Sequence, residues 1–157
     1  MKNICALFAC ILLACAASGC QKSSRPADLP EDMSPCKITL TQEGQPLAGA
    51  TVMLEYGQPM KYTTSGTTDE KGVAVMQTYS YVGAQQGTAK VVVTKLVTEG
   101  AAESEEYGDV KQNNGSDFQV VDKKYRSATT TDLEVTIGKD NVETTFELGP
   151  AVHDPVK

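Results

Sequence analysis

Apolar and polar residues alternate with a period of two along most of the chain from residue 36 onward. In one segment, Ala50, Val52, Leu54 and Tyr56 alternate with threonine, methionine and glutamate. This period places one set of side chains on the buried face of a β-strand and the other set on its solvent face. The pattern predicts strands at 37–41, 50–56, 60–68, 73–78, 88–98, 133–137 and 142–148.

Turn-forming residues separate the predicted strands, at intervals of about eight to twelve residues. Glycine and proline interrupt the alternation at 43–49 and 57–59, and Asp69-Glu70-Lys71-Gly72 is typical of a hairpin turn in which Gly72 adopts a positive φ. The segment 99–131 is polar and acidic, and it predicts a long excursion between the fifth and sixth strands. About seven strands joined by such turns favour an antiparallel β-sandwich.

The apolar run near the N-terminus has a different character. Lys2 precedes an uninterrupted run of apolar and small residues from 4 to 17. A membrane-spanning helix needs about 20 apolar residues, so this run is too short to span a bilayer comfortably. Its length and the preceding positive charge are typical of the hydrophobic region of a secretory signal peptide.

Small residues follow the run and end at a cysteine, in the order Ala17-Ser18-Gly19-Cys20. This tetrad resembles the lipobox of bacterial lipoproteins, in which leucine is commonest where Ala17 stands. The resemblance implies that a diacylglycerol is attached to the Cys20 thiol, that the signal is cut just before it, and that the new amine is acylated. Two alternatives stay open: processing at Cys15 after Leu12-Leu13-Ala14, and an uncleaved or differently processed segment.

The remaining cysteines fall into two groups. Cys5, Cys10 and Cys15 lie five residues apart in the apolar run. Neighbouring side chains on a helix are three or four residues apart, so this spacing aligns no face, and we interpret the three cysteines as small hydrophobes. Cys36 would be the one free thiol of the mature protein. We interpret it as the packed start of the first strand, with a reactive or intermolecularly paired thiol as the alternative.

These features divide the chain into successive parts. The predicted parts are a lipoprotein signal peptide at 1–19, a flexible polar tether at 20–35, a β-sandwich at 36–149 with the excursion at 99–131, and a C-terminal tail at 150–157. A single acyl chain binds membranes only marginally, whereas two anchor a protein stably. A diacylglycerol on Cys20 would therefore hold the sandwich close to a bilayer.

The net charge of the chain limits the classes of partner that we expect. The whole chain has a formal net charge of −6, and loss of Lys2 with the signal peptide leaves 13 basic and 20 acidic side chains, a net charge of −7. No basic stripe runs along any segment, so the sequence gives no support for nucleic-acid binding. The expected partners are the membrane, through the lipid, and an envelope protein or polysaccharide. Gln21 follows the lipid cysteine, which by resemblance to enterobacterial sorting favours the outer membrane, on its periplasmic or its surface face.

Three ordered motifs carry a second resemblance. Residues 44–52 match a G-x-P-L-x-G-A-x-V pattern, residues 66–72 match G-T-T-D-x-x-G, and residues 83–94 follow G-A-x-x-G-x-Y-K-V-x-V. These patterns resemble those of carboxypeptidase regulatory-like domains. The later segments are similar to a subgroup of that family found in bacterial envelope lipoproteins, at 121–125, 129–135 and 141–146.

This resemblance covers about 37–149 and implies a transthyretin-like (prealbumin-like) Greek-key β-sandwich of about seven antiparallel strands. In carboxypeptidases such a domain stands beside the catalytic domain and performs no chemistry. The matched residues are mostly turn residues, so they indicate a fold and not a reaction. Ala89 stands where the family usually has an aromatic residue, which implies a smaller core at that point.

Residue types needed for catalysis or metal binding are scarce. The single histidine, His153, lies in a proline-bounded tail, whereas a catalytic base must be held rigidly beside its nucleophile. One histidine and one unlipidated cysteine fall short of the four ligands of a zinc site, and no phosphate-binding glycine motif occurs. We therefore expect no cofactor. An alternative calcium site rests on scattered acidic residues, at Asp69, Glu70, Asp109, Asp117, Asp122 and Asp132.

The tyrosines are the basis of the main alternative function, carbohydrate binding. Tyr79 and Tyr81 share strand parity, and Tyr107 and Tyr125 lie in the excursion. These rings either stack on sugars, as in related starch-binding sandwiches, or cover the ends of the sandwich with only their hydroxyls in water. The favoured prediction is a non-enzymatic, lipid-anchored envelope protein whose sandwich is a structural or protein-interaction module. The alternatives are a surface carbohydrate-binding module and a small hydrolase.

Overall fold

The computed structural model describes residues 29–58, 62–100 and 115–156. Within these ranges the chain forms short β-strands and one turn of 3-10 helix, Lys123–Arg126. In chain order the strands are β1 (Met33–Ser34), β2 (Cys36–Gln42), β3 (Gln45–Pro46), β4 (Thr51–Tyr56), β5 (Thr64–Thr67), β6 (Val73–Val75), β7 (Gln77–Thr78), β8 (Tyr81–Val82), β9 (Ala84–Gln85), β10 (Gly87–Thr94), β11 (Leu96–Glu99), β12 (Ser116–Gln119), β13 (Glu134–Ile137), β14 (Val142–Leu148) and β15 (Asp154–Pro155). No helix in these ranges has the length and apolar character needed to cross a membrane.

Two sheets pack around one hydrophobic core and confirm the predicted all-β sandwich. The first sheet has the strand order β13-β10-β4-β5-β7-β8, and the second contains β14-β2-β3 with β6 also paired to β2. Alternate residues of β2 and β10 supply the centre of the core, where Ile38, Leu40, Val91 and Val93 are fully buried. The alternation of the sequence thus becomes a buried and an exposed face of each sheet.

Each predicted strand of the sandwich has an observed counterpart, and two of them are interrupted. The predicted strand 73–78 divides at Met76 into β6, which pairs with β2, and β7, which pairs with β5. The predicted strand 88–98 divides at Lys95 into β10 and β11, and β11 joins β12 and β15 in a small third sheet. Both interruptions carry the chain from one sheet to another.

One pairing corrects the predicted antiparallel arrangement. β14 runs parallel to β2, from Val142 opposite Cys36 to Leu148 opposite Gln42. Parallel neighbours cannot be joined by a hairpin, and here the first and last long strands of the sandwich lie side by side. The predicted alternation was right for both strands, but alternation gives the buried face of a strand and not its direction.

The sandwich also includes residues that lie earlier in the chain than predicted. Leu29 is buried, and β1 pairs with β9. The Asp32 carbonyl accepts a hydrogen bond from the Gln86 backbone N–H at 2.9 Å. Residues 29–35 therefore belong to the sandwich, and the predicted tether at 20–35 is wrong over this part.

The excursion and the C-terminal tail are held to the rest of the fold. β12 pairs with β11, and β15 pairs with β12. Val121 is fully buried and fastens the chain after β12 to the core. Arg126 donates a hydrogen bond to Asp154 at 2.5 Å, so the 3-10 helix holds the tail as well.

Candidate functional site

A groove of about 530 Å³ lies on the outer face of the first sheet, where the chain passes from β6 to β7. We call it the β5–β6 groove. Its polar lining consists of Thr51, Ser65, Thr67, Asp69 and Gln77, and its apolar lining includes Val75 and Tyr79.

The floor of the β5–β6 groove is polar because three neighbouring strands turn alternate residues outward. Thr51 lies opposite Thr67, and Ser65 lies between Met53 and Gln77 in adjacent strands. The intervening residues of these strands face the core. Hydroxyl and amide groups therefore form a row across the sheet that is available to a ligand.

Gly66 permits the close approach of β5 and β6 at the groove. A Cβ atom at this position would lie 2.8 Å from the Val75 carbonyl oxygen. Any other residue would push β5 and β6 apart, since real Cβ atoms do not approach a backbone oxygen so closely. The glycine in the predicted hairpin motif thus shapes the groove.

Tyr79 stands at one end of the groove in a strained backbone conformation. It is the first residue of the two-residue loop between Thr78 and Tyr81, and its φ is +58°. A positive φ at the first loop position alone is the pattern of a type II′ turn, in which glycine is preferred. The Tyr79 side chain is 64% exposed, and its ring centroid lies 5.2 Å from that of Tyr62. Backbone strain of this kind is concentrated at ligand-binding and active sites.

The structure separates the tyrosines that the sequence grouped. Of the two interpretations of these rings, covering an end of the sandwich with only the hydroxyl in water does not fit the exposed Tyr79. Tyr81 lies opposite the fully buried Thr78 and is half-buried, so it does not share a face with Tyr79. Tyr125 is half-buried and packs against the core, and Tyr107 lies outside the described residues.

Two exposed valines lie in or next to the β5–β6 groove. Val82 is 62% exposed and lies opposite Gln77, and Val75 on β6 is 42% exposed. Together with Tyr79 they give the polar floor an apolar rim. The sequence did not single out the two valines, because their placement depends on the break at Met76 and on the cross-strand register.

His153 contacts an aromatic ring and a carboxylate. Its ring stacks on Phe118 with centroids 3.8 Å apart, and its Nε2 lies 3.3 Å from a Glu99 carboxylate oxygen. Among the described contacts of His153 there is no serine or cysteine. These contacts hold the tail against the small third sheet. They do not form a pair of nucleophile and base.

Four of the described carboxylates proposed for calcium have separate structural partners. Asp69 Oδ1 accepts hydrogen bonds from the backbone N–H groups of Lys71 and Val73, both at 2.9 Å. Of the others, Asp117 accepts from Thr98, Asp122 caps the 3-10 helix, and Asp132 pairs with Lys124. Within the described ranges, no group of three or more His, Cys, Asp or Glu residues is placed to hold a metal ion. Asp109 lies outside these ranges.

Cys36 begins β2, as predicted, and its side chain is a free, buried thiol. Burial raises the pKa of this thiol from its ordinary value of 9.0 to about 11. The thiolate is the reactive form, so the fraction available near pH 8 falls about a hundredfold. The environment favours the interpretation of Cys36 as a core residue.

We therefore expect Cys36 to react at least 100-fold more slowly with a thiol reagent in the native protein than in denaturant near pH 8. Following the release of thionitrobenzoate during reaction with Ellman's reagent measures this directly, because Cys20 is blocked if it carries lipid. Rapid, complete reaction of Cys36 in the native protein would contradict the buried assignment and revive the reactive-thiol alternative.

No protein-family model matches the chain, and no curated protein matches it. The resemblance to envelope lipoproteins with carboxypeptidase regulatory-like domains therefore stays a prediction from the motifs. Cys20, the predicted lipid attachment site, lies outside the described residues.

Proposed function

We propose that the chain is a non-enzymatic, lipid-anchored protein of the bacterial cell envelope, whose β-sandwich serves as a structural or protein-interaction module. Cys20 would carry the lipid. The observation that carries the proposal is the burial of Leu29, which joins the chain to the sandwich only a short distance after Cys20. Nine residue steps separate Cys20 from Leu29, which reach about 30 Å at full extension. An anchor at Cys20 would keep the sandwich next to the bilayer.

The use of the ionisable side chains supports a non-enzymatic role. Asp69 and Asp122 cap turns, His153 fastens the tail, and burial keeps Cys36 protonated. Catalytic groups need a base held beside a nucleophile, or two carboxylates in different environments. These four side chains are instead engaged in maintaining the fold.

Metabolic labelling of cells with a radioactive fatty acid tests the proposal. The label is expected in the mature protein, which should also enter the detergent phase when Triton X-114 solutions are warmed. An unlabelled protein that stays in the aqueous phase would contradict lipid anchoring.

A surface carbohydrate-binding module is the second candidate, and the β5–β6 groove favours it. Tyr79 offers an exposed ring beside a row of hydroxyl and amide groups. Sugars are commonly held by an aromatic platform with polar groups that bond the ring hydroxyls. The strained backbone of Tyr79 adds to this case, because glycine would fit the turn better.

The Tyr79→Gly variant is expected to change polysaccharide binding and folding stability in different ways, so it tests the two effects separately. If the groove binds a polysaccharide, Tyr79→Gly is expected to weaken binding at least tenfold through loss of the ring. Stability should be unchanged or higher by about 1 kcal/mol, because the left-handed strain is relieved. Tyr79→Phe keeps the ring and serves as the control. A glycan array on which the full chain binds nothing above background would exclude this second candidate.

A further inference from the structure

In the described part of the chain, β14 has one paired edge and one open edge. Its paired edge faces β2, and no described strand lies on its other side. β14 has seven residues, so the open edge is roughly 23 Å long. An edge of this length offers a template for pairing with another extended chain.

Hydrogen bonds to β2 determine which backbone groups of β14 face the open edge. The Val142 N–H donates to the Pro35 carbonyl at 3.0 Å, so Val142 directs its backbone groups toward β2. Successive residues of a strand direct these groups to opposite edges. Glu143, Thr145 and Glu147 therefore each present an N–H and a C=O group to the open edge.

The two faces of the sheet beside this edge differ in chemistry. On the inner face, Val142 and Phe146 pack against the core but remain half-exposed, as expected where a neighbouring strand is missing. On the outer face, Glu143 and Glu147 are exposed. Lys37 of β2 forms an ion pair with Glu143 at 2.9 Å, and the Thr41 hydroxyl donates a hydrogen bond to Glu147. These contacts hold the pKa of each carboxyl below its ordinary value. The edge thus offers apolar contacts on one face and two ionised carboxylates on the other, of which Glu143 is already paired with Lys37 and Glu147 has only neutral hydrogen-bond donors among its described contacts.

We propose that the open edge of β14 binds an extended protein segment in which apolar residues alternate with lysine or arginine. Its backbone pairs with Glu143, Thr145 and Glu147, and its apolar residues cover Val142 and Phe146. Its basic residues lie opposite the carboxylates. The inference rests on the proposed interaction function, and it names the surface and the class of partner.

The charge pattern disfavours a second copy of the chain as the occupant. Antiparallel pairing of two β14 strands about Thr145 would place Glu143 of each chain opposite Glu147 of the other. Like charges directly opposed across two strands are destabilising. A basic partner turns the same two positions into favourable pairs.

Fluorescence anisotropy of a labelled nine-residue peptide of alternating valine and lysine, mixed with the full chain in non-ionic detergent, tests the proposal. Thr145→Pro removes an N–H from the open edge, where proline is compatible with the fold, and it is expected to weaken peptide binding at least tenfold.

Thr136→Pro is the matched control on edge strand β13. The Val91 N–H donates to the Leu133 carbonyl, so the Thr136 N–H points away from β10 and its loss should leave binding unchanged.

Two further peptides keep the test independent of any variant's folding. A peptide methylated at the backbone nitrogens that would pair with β14, and a peptide of alternating valine and glutamate, are each expected to bind the unaltered protein at least tenfold more weakly. Equal binding of the methylated peptide, equal loss in Thr136→Pro, or self-association that Thr145→Pro abolishes would overturn the proposal.

The experiments distinguish failure of the β14 inference from failure of the proposed lipid-anchored function. Absence of peptide binding by a protein that is labelled with fatty acid would overturn the β14 inference alone. Peptide binding by a protein that carries no fatty acid would leave the β14 inference standing and overturn the lipid-anchored function.

Discussion

Replacing Gly72 with alanine is expected to lower the free energy of unfolding by about 3 kcal/mol. Gly72 has a φ of +75°, which costs a residue with a side chain about 1–2 kcal/mol. Its Cβ would also meet the Leu40 carbonyl oxygen well inside van der Waals contact and would lie 3.1 Å from the Leu47 nitrogen. Both neighbours are backbone atoms, Leu40 in β2 and Leu47 directly after β3, so relief requires the backbone of this part of the fold to shift.

Gly44 provides a control with the same backbone angle. Its φ is also +75°, but nothing lies within 4 Å of the position of its Cβ. Gly44→Ala should therefore cost only the conformational part, about 1 kcal/mol. Urea denaturation followed by tyrosine fluorescence measures both variants in a soluble chain that begins at Gln21 and so keeps Leu29, since the protein has no tryptophan. Equal losses in the two variants would show that the close approach at Gly72 is not as described.

Replacing Cys20 with alanine is expected to abolish fatty-acid labelling and to leave the signal peptide uncleaved. The thiol is the only atom to which the predicted diacylglycerol can be attached, and each buried methylene of such a lipid contributes about 0.8 kcal/mol of membrane affinity. Labelling and gel mobility of the Cys20→Ala protein in cells measure the effect.

Cys15→Ala is the matched control, because Cys15 is the alternative processing site and lies in the same apolar run. It should be labelled and processed like the unaltered protein. Loss of labelling in Cys15→Ala with normal labelling in Cys20→Ala would move the lipid to Cys15 and lengthen the predicted segment before Leu29 by five residues.

The strands and their buried faces could be predicted because they depend on local sequence. The alternation at 50–56 became β4, with Val52 and Leu54 in the core. The Asp69–Gly72 turn formed as predicted, with a positive φ at Gly72. Such features need only a period of two and the conformational freedom of glycine.

Features that depend on contacts between distant segments could not be predicted. The parallel pairing of β2 with β14 joins residues about a hundred positions apart, and alternation does not encode strand direction. β1 could not be recognised in its polar, proline-containing segment, because a strand of two residues is too short to show a period of two.

In the candidate sites, too, local sequence predicted some features, whereas contacts between distant segments determined others. Strand parity placed Tyr79 and Tyr81 on one face, but Tyr79 lies in a turn with a left-handed backbone, where parity no longer applies. Ser65 and Gln77 meet in the β5–β6 groove only through cross-strand register. Glu143 and Glu147 were visible as outward residues of a strand, but their position at an open edge required the sheet order.

Mass spectrometry of the N-terminal peptide from the membrane-extracted protein tests the central claim most directly. The lipid-anchored function predicts a peptide that begins at Cys20 and carries a thioether-linked diacylglycerol, with an acyl group on its amine. A peptide that begins at any other residue, or an unmodified Cys20, would contradict it.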